Sequence, residues 1–379
     1  MSSGFTEQAL PQWHRAVLKV GSSLLTTPDG ALTGEHADAL AAFVRASRDA
    51  GREVVIVSSG AVAAGRGLAP VPTRSTGLSG RQALAALGQT RLVGLWQTFF
   101  DAPVAQVLLT HDDLRNRRRY LNARTTLREL LALGAIPVIN ENDTVAVDEL
   151  KLGDNDNLAA IVAALVDADV LFIASDIAGL YTANPRIDPD AVPVAEVLEL
   201  TAAHLESAGG AGSAAGTGGM RTKLEAAMKA AAAGIETVLF DGRDAHGIAR
   251  LADGFLTGTR LRAPQSRLAA RKYWLRHAPA MGRISVDSGA VEAVRGRGAS
   301  LLPGGVSDAS GEFARGDVIE IAADGVPFAR GIAQYAATDV RRIARRHTRD
   351  IEAVLGYSYG ETIVHRDDLV VLPDPARLP

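Results

Sequence analysis

Six short runs of aliphatic and β-branched residues, at 16–20, 54–57, 104–109, 136–139, 170–174 and 237–240, show no alternation with polar residues. A strand with one face in water alternates. A run that is apolar throughout is buried on both faces, as in a parallel sheet covered by helices. Between these runs lie Ala- and Leu-rich stretches. They predict helices over 37–50, 81–100, 122–133, 158–166 and 223–233, with Gly51, Gly134 and Gly234 as stops. Strand and helix in such alternation predict a doubly wound α/β domain, whose ligands bind at the carboxyl ends of the strands.

The texture changes towards the C-terminus. Residues 264–276 are basic and polar and lack this rhythm. From about Met281, short runs at 284–286, 318–321 and 331–335 are separated by glycine-rich turns, which predicts a small, mainly β module. With 379 residues the chain has room for two or three domains, and 47% hydrophobic residues supply their cores. Basic and acidic residues number 40 and 43, so no strong general attraction to nucleic acid or anionic membrane is expected. Cysteine is absent, which removes disulfides, thiolate metal sites and cysteine nucleophiles from consideration. Residues 1–15 have no signal-type apolar core, and the longest apolar stretch, 159–166, is too short to span a bilayer. A soluble cytoplasmic protein is expected.

Four loops carry candidate chemistry. Lys19-Val20-Gly21-Ser22-Ser23 follows the first strand, where backbone amides and a lysine can meet an anion; an ordinary βα turn has the same look. Ser58-Ser59-Gly60-Ala61 leaves room for a ligand at a helix start, or is simply an N-cap. The polar blocks Asn140-Glu141-Asn142-Asp143 and Gly153-Asp154-Asn155-Asp156-Asn157 follow a buried strand. Their density of acceptors and amides suits an amino-acid ammonium group or a metal-nucleotide, although Asp156 or Asn157 could merely cap the next helix. Calcium-loop spacing is not met. Gly216-Thr217-Gly218-Gly219-Met220-Arg221-Thr222-Lys223 runs into a helix as a phosphate cradle would, without the Walker A order. His365-Arg366-Asp367 lacks the residues that would make it a protein-kinase catalytic loop. The arginine cluster at 115 and 117–119 is too short to define a nucleic-acid surface.

Taken in order, these loops, with Gly179-Leu180-Tyr181-Thr182, resemble the glutamate 5-kinase branch of the amino acid kinase family. Gly298-Ala299-Ser300-Leu301-Leu302-Pro303 and Phe313-Ala314-Arg315-Gly316-Asp317 resemble its C-terminal PUA domain. The resemblance runs from about Arg15 to Leu372, with one departure: Ser175 stands where the pattern has threonine, and the hydroxyl is kept. It implies an α/β/α sandwich at 14–265, a linker at 266–280 and a mainly β PUA domain at 281–375. It also implies ATP and Mg²⁺, phosphorylation of the glutamate γ-carboxylate at the first step of proline biosynthesis, and feedback inhibition by proline. A homo-oligomer and a γ-glutamyl phosphate reductase partner go with it.

Carried over residue by residue, the resemblance makes Lys19, Lys223 and Asp156 catalytic. It puts Lys19, Gly21, Ser175, Asp176, Thr217, Gly218, Gly219, Met220, Arg221, Thr222 and Lys223 at ATP, and Ser59, Asp143, Asn155 and Asn140 at glutamate. Magnesium would be held through the ATP phosphates, with protein ligands unassigned. Two alternatives stay open: another carboxylate kinase of the same family, and an RNA-binding PUA protein. Against the latter, residues 281–379 hold 12 arginines, no lysine and 14 acidic residues, so a basic footprint is missing.

Overall fold

The apolar runs become the centre of an eight-stranded sheet. We label its strands β1 (Arg15–Val20), β2 (Glu53–Ser58), β3 (Val104–Leu109), β4 (Ile136–Glu141), β5 (Val170–Ser175), β6 (Glu196–Val197), β7 (Glu236–Asp241) and β8 (Gly258–Leu261). The computed structural model describes residues 4–27, 29–68, 77–146, 155–185, 187–201, 204–205, 219–263, 272, 275–276 and 278–372. Strand order is β3-β4-β2-β1-β5-β7-β8-β6. All neighbours from β3 to β7 are parallel, and β8 turns antiparallel against β7. β4 and β5 are buried along their whole length, as expected for their apolar residues, and the burial extends to Asn140 and Glu141 at the carboxyl end of β4.

The helices are α1 (Ala37–Asp49), α2 (Ala61–Arg66), α3 (Leu78–Gln97), α4 (Arg117–Ala132), α5 (Asn155–Leu165), α6 (Met220–Ala232) and α7 (Ala245–Ala252). One core cluster joins α1, α3 and α7 to the sheet through Phe43, Trp96, Phe172, Phe240, Ile248 and Leu251. No helix among the described residues is long and apolar enough to cross a membrane.

Topology decides where a ligand can sit. The chain lays β2, β3 and β4 on one side of β1, then returns to place β5 on the other. That reversal opens a crevice at the carboxyl end of β1, the usual ligand position in such sheets. Register keeps the neighbouring ends level: Val20 stands opposite Ser58 and Ala174.

Two compact units divide the chain, Met1–Arg115 with Asn122–Arg267, and Asn116–Leu121 with Leu268–Pro379. In the second, β9 (Gly282–Val286), β10 (Val306–Gly311), β11 (Val318–Ala323), β12 (Val326–Ile332) and β13 (Leu369–Val371) form a sheet in the order β10-β9-β11-β12-β13. It is mainly β, with a helix, α8 (Ala337–Ile343), among its connections. The sequence reading put a strand at 331–335, whereas β12 ends at Ile332 and Tyr335 lies beyond it, fully buried. β10 escaped notice because only Val306 and Ala309 of its six residues are buried.

The closest helix contact lies beside the crevice. A Cβ on Gly65 of α2 would fall 1.9 Å from the Leu84 carbonyl oxygen of α3, and one on Gly88 of α3 would fall 1.9 Å from the Ala61 carbonyl oxygen of α2. The helices therefore touch backbone to backbone. Gly88→Ala must push them apart, and the expected loss is about 3 kcal/mol, the upper range for overpacking. Gly94→Ala on the same helix meets nothing within 4 Å, and it should gain about 0.5–1 kcal/mol from helix propensity. Denaturant unfolding of the two variants checks both signs.

Candidate active site

At the centre of the crevice is a buried carboxylate between two lysines. Asp156, in the first turn of α5, is 1% exposed. Lys19 Nζ, from β1, lies 2.6 Å from its Oδ1, and Lys223 Nζ, from the first turn of α6, lies 3.3 Å from its Oδ2. The Thr222 hydroxyl donates to the same Oδ2 at 2.8 Å. Burial opposes ionisation of Asp156. The attraction of Lys19, then Lys223, and the hydrogen bonds from Lys19 and Thr222 override it and hold the carboxyl at about 2. Lys223 is pushed down by burial, against the pull of Asp156.

The sequence reading placed 155–157 before the helix. They form its first turn instead, because their polar groups find partners there from other elements. Asn157 Oδ1 accepts from Lys229, and an acidic residue in a first turn suits the helix dipole.

Around this pair lie the other candidates for an anion. Gly219 is the extended residue before α6, and no side chain caps that end among the described residues. Its leading amides can meet a phosphate. A Cβ on Gly21 would come 3.7 Å from Lys19 Nζ, which places this glycine beside the lysine. Ser175 ends β5 with its hydroxyl 3.5 Å from Asp176, whose charge acts on Lys223. Met220 is half-buried at the helix start. Arg221 is not drawn in: it pairs with Glu225 at 3.0 Å on an exposed face. Thr217, Gly218, Gly153 and Asp154 lie outside the described residues. Among the described residues, no group of three or more His, Asp and Glu side chains is arranged to hold a metal ion.

The glutamate candidates form a second cluster, of amides. Asn155 Nδ2 donates to Ser59 Oγ at 2.8 Å and to Asn140 Oδ1 at 3.0 Å. Asn140 Oδ1 also accepts from the Glu141 backbone amide at 2.9 Å, and Asn140 Nδ2 donates to Gln89 Oε1 at 2.9 Å. Ser59 leads into Gly60, whose φ of +112° favours glycine. Asp143, in the turn after β4, is raised to about 6 by burial, which Arg81 partly opposes.

Three contributors from α3 were not read from the sequence. Besides Gln89, Gln82 Nε2 donates to the Ala146 carbonyl at 3.0 Å and Trp96 Nε1 donates to Ser58 Oγ at 2.9 Å. Their seven-residue spacing was the available signal, since it puts all three on one helix face.

Residues 14–241 match the sequence profile described as the amino acid kinase family. The chain belongs to the amino acid kinase family. Within that family it is 64% identical to a glutamate 5-kinase of Xylella fastidiosa (strain 9a5c) over 377 residues, 98% of each chain. It is 66% identical to a glutamate 5-kinase of Xanthomonas campestris pv. campestris over 362 residues, 94% of this chain and all of the relative. Residues 282–355 match the PUA domain. Among solved structures, a UMP kinase from Bacillus anthracis aligns with 67% of this chain and 97% of its own at a TM-score of 0.47 and 14% identity.

Removing the carboxylate charge leaves two buried lysines facing each other. Asp156→Asn should cost about 3–5 kcal/mol of stability at pH 7, the range for breaking a buried pair. Because the folded pKa of Asp156 is depressed, this contribution is present above its unfolded value near 4 and is lost as pH falls through about 2. Urea unfolding of both proteins from pH 7 to 3 should show a gap that holds down to about pH 4 and then narrows.

Proposed function

We propose that this chain transfers the terminal phosphoryl group of ATP to the side-chain carboxylate of glutamate, giving L-glutamyl 5-phosphate at the first step of proline biosynthesis. The observation that carries the reading is the Lys19–Asp156–Lys223 cluster at the end of β1, beside the amide cluster of Ser59, Asn140 and Asn155. The names of the similar relatives point the same way.

A side-chain carboxylate with a pKa of about 4.3 is already ionised at neutral pH, so no general base is needed. What the reaction demands is alignment of two anions and relief of their repulsion. Each lysine carries three donors, and Asp156 engages one on each. Lys19 approaches from the strand and Lys223 from the helix, so the transferring group is held between them. The open N-terminus of α6 adds backbone donors, and Gly21 admits the phosphates close to β1. In this reading Ser175 and Asp176 meet the nucleotide, and Ser59, Asn140, Asn155 and Asp143 hold the amino acid. With both oxygens of Asp156 engaged by lysines, Mg²⁺ fits as an ion held by the ATP phosphates, where it would neutralise charge. Catalysis is assigned to residues 14–265. Proline inhibition, a cytoplasmic setting, a homo-oligomer and a reductase partner belong to the same reading.

The test is to incubate the protein with ATP, Mg²⁺, glutamate and hydroxylamine and to follow γ-glutamyl hydroxamate, with aspartate and acetylglutamate in parallel. Glutamate-dependent product that falls on addition of proline is expected; turnover without preference for glutamate overturns the substrate. Lys223→Ala should lower kcat at least about a hundredfold, the scale of one preorganised donor.

The pH dependence tests Asp143 separately. Its carboxylate attracts the substrate ammonium only when ionised. With a pKa of about 6, the glutamate KM should rise about fourfold between pH 7.5 and 5.5, as that fraction protonates. Asp143→Asn should start from a higher KM and lose this dependence.

A further inference from the structure

The amide cluster has a fixed polarity, and that polarity reaches back to a helix outside the site. The Glu141 backbone N–H can only donate, so it holds Asn140 Oδ1 as the acceptor. Asn140 Nδ2 then faces α3, where only an acceptor can satisfy it, and Gln89 Oε1 supplies one at 2.9 Å. On the other side Asn140 Oδ1 accepts from Asn155 Nδ2, which also donates to Ser59 Oγ. Asn155 Oδ1 is thereby left buried and without a partner among the described residues, an acceptor free for a cationic group.

Gln89, Asn140 and Asn155 are 8%, 3% and 3% exposed. At such depth an unmatched amide proton is costly; Gln89 Nε2, without a partner among the described residues, bears that cost while its Oε1 holds Asn140. The residues two turns away on α3 act alike. Gln82 fastens the loop after β4 and Trp96 fastens Ser58 at the end of β2.

We infer that Gln89 is a positioning residue for the amino-acid substrate: it orients the carboxamide of Asn140, and through it Asn155 and Ser59, without taking part in phosphoryl transfer. This rests on the proposed function, in which those three residues hold glutamate. Gln89 belongs to α3, whereas the nucleotide candidates sit on β1, β5 and α6, so its loss falls on one substrate.

The experiment uses the full chain with Gln89→Met, which keeps the length of the side chain and removes the acceptor. The glutamate KM should rise about tenfold, while kcat and the KM for ATP stay within about threefold. In an Asn140→Ala background the same substitution should change the glutamate KM less than about twofold, because the group it acts through is already gone. A merely structural role would lower kcat and both KM-derived efficiencies together and would add fully to Asn140→Ala; either result overturns the inference. So does an unchanged glutamate KM. Where Gln89→Met yields no folded protein, Gln89→Asn, which withdraws the amide by one methylene, is read in its place with the same expectations. Wild-type protein that fails to phosphorylate glutamate overturns the proposed function and this inference with it. Active wild type with an unaltered variant overturns the inference alone.

Discussion

The structure turns on charges of opposite sign buried together. Two lysines and one aspartate are withdrawn from water at the end of β1, and the charge of Asp176 acts on Lys223 as well. Burial makes this costly, and the depression of Lys223 records part of that cost. In the proposed function, the phosphates of ATP add counter-charge at this point. The carboxylate of Asp156 draws the two lysines together and sets their spacing. Everything that brings β1, α5 and α6 together serves this arrangement, beginning with the reversal of strand order around β1.

Much of the fold was legible because it rests on burial of both sheet faces, and runs such as 104–109 and 170–174 announce that directly. The loops at the strand ends were legible for a related reason: small and polar residues directly after a buried strand need an explanation. What resisted reading was direction within a helix. Arg221 and Lys223 stand two residues apart, but a step of two on a helix turns the side chain by about 200°. One enters the cluster, and the other leaves for Glu225. The sequence does not show the full extent of α5 because Asn and Asp favour caps and turns in isolation, whereas here their partners come from β1, β4, α6 and the end of β2.

Gln89 was hidden for a further reason. α3 mixes Ala, Leu, Gly and Gln along its length, and a glutamine in such a pattern reads as solvated surface. The spacing puts 82, 89 and 96 on one helix face, but the positions of Asn140, Ala146 and Ser58, distant in sequence, are what show which way that face turns.

The backbone contact of α2 with α3 bears on how variants of this chain are to be interpreted. Gly65 and Gly88 have no functional groups, yet α2 follows Ser59 and Gly60, and α3 carries Gln89. Any side chain at either glycine wedges the helices and moves both ends of the amide chain at once. A screen scored only by activity would rank these two positions with the lysines. Separating machinery from scaffold here therefore requires that abundance and turnover be measured side by side, since at this seam the two are mechanically the same thing.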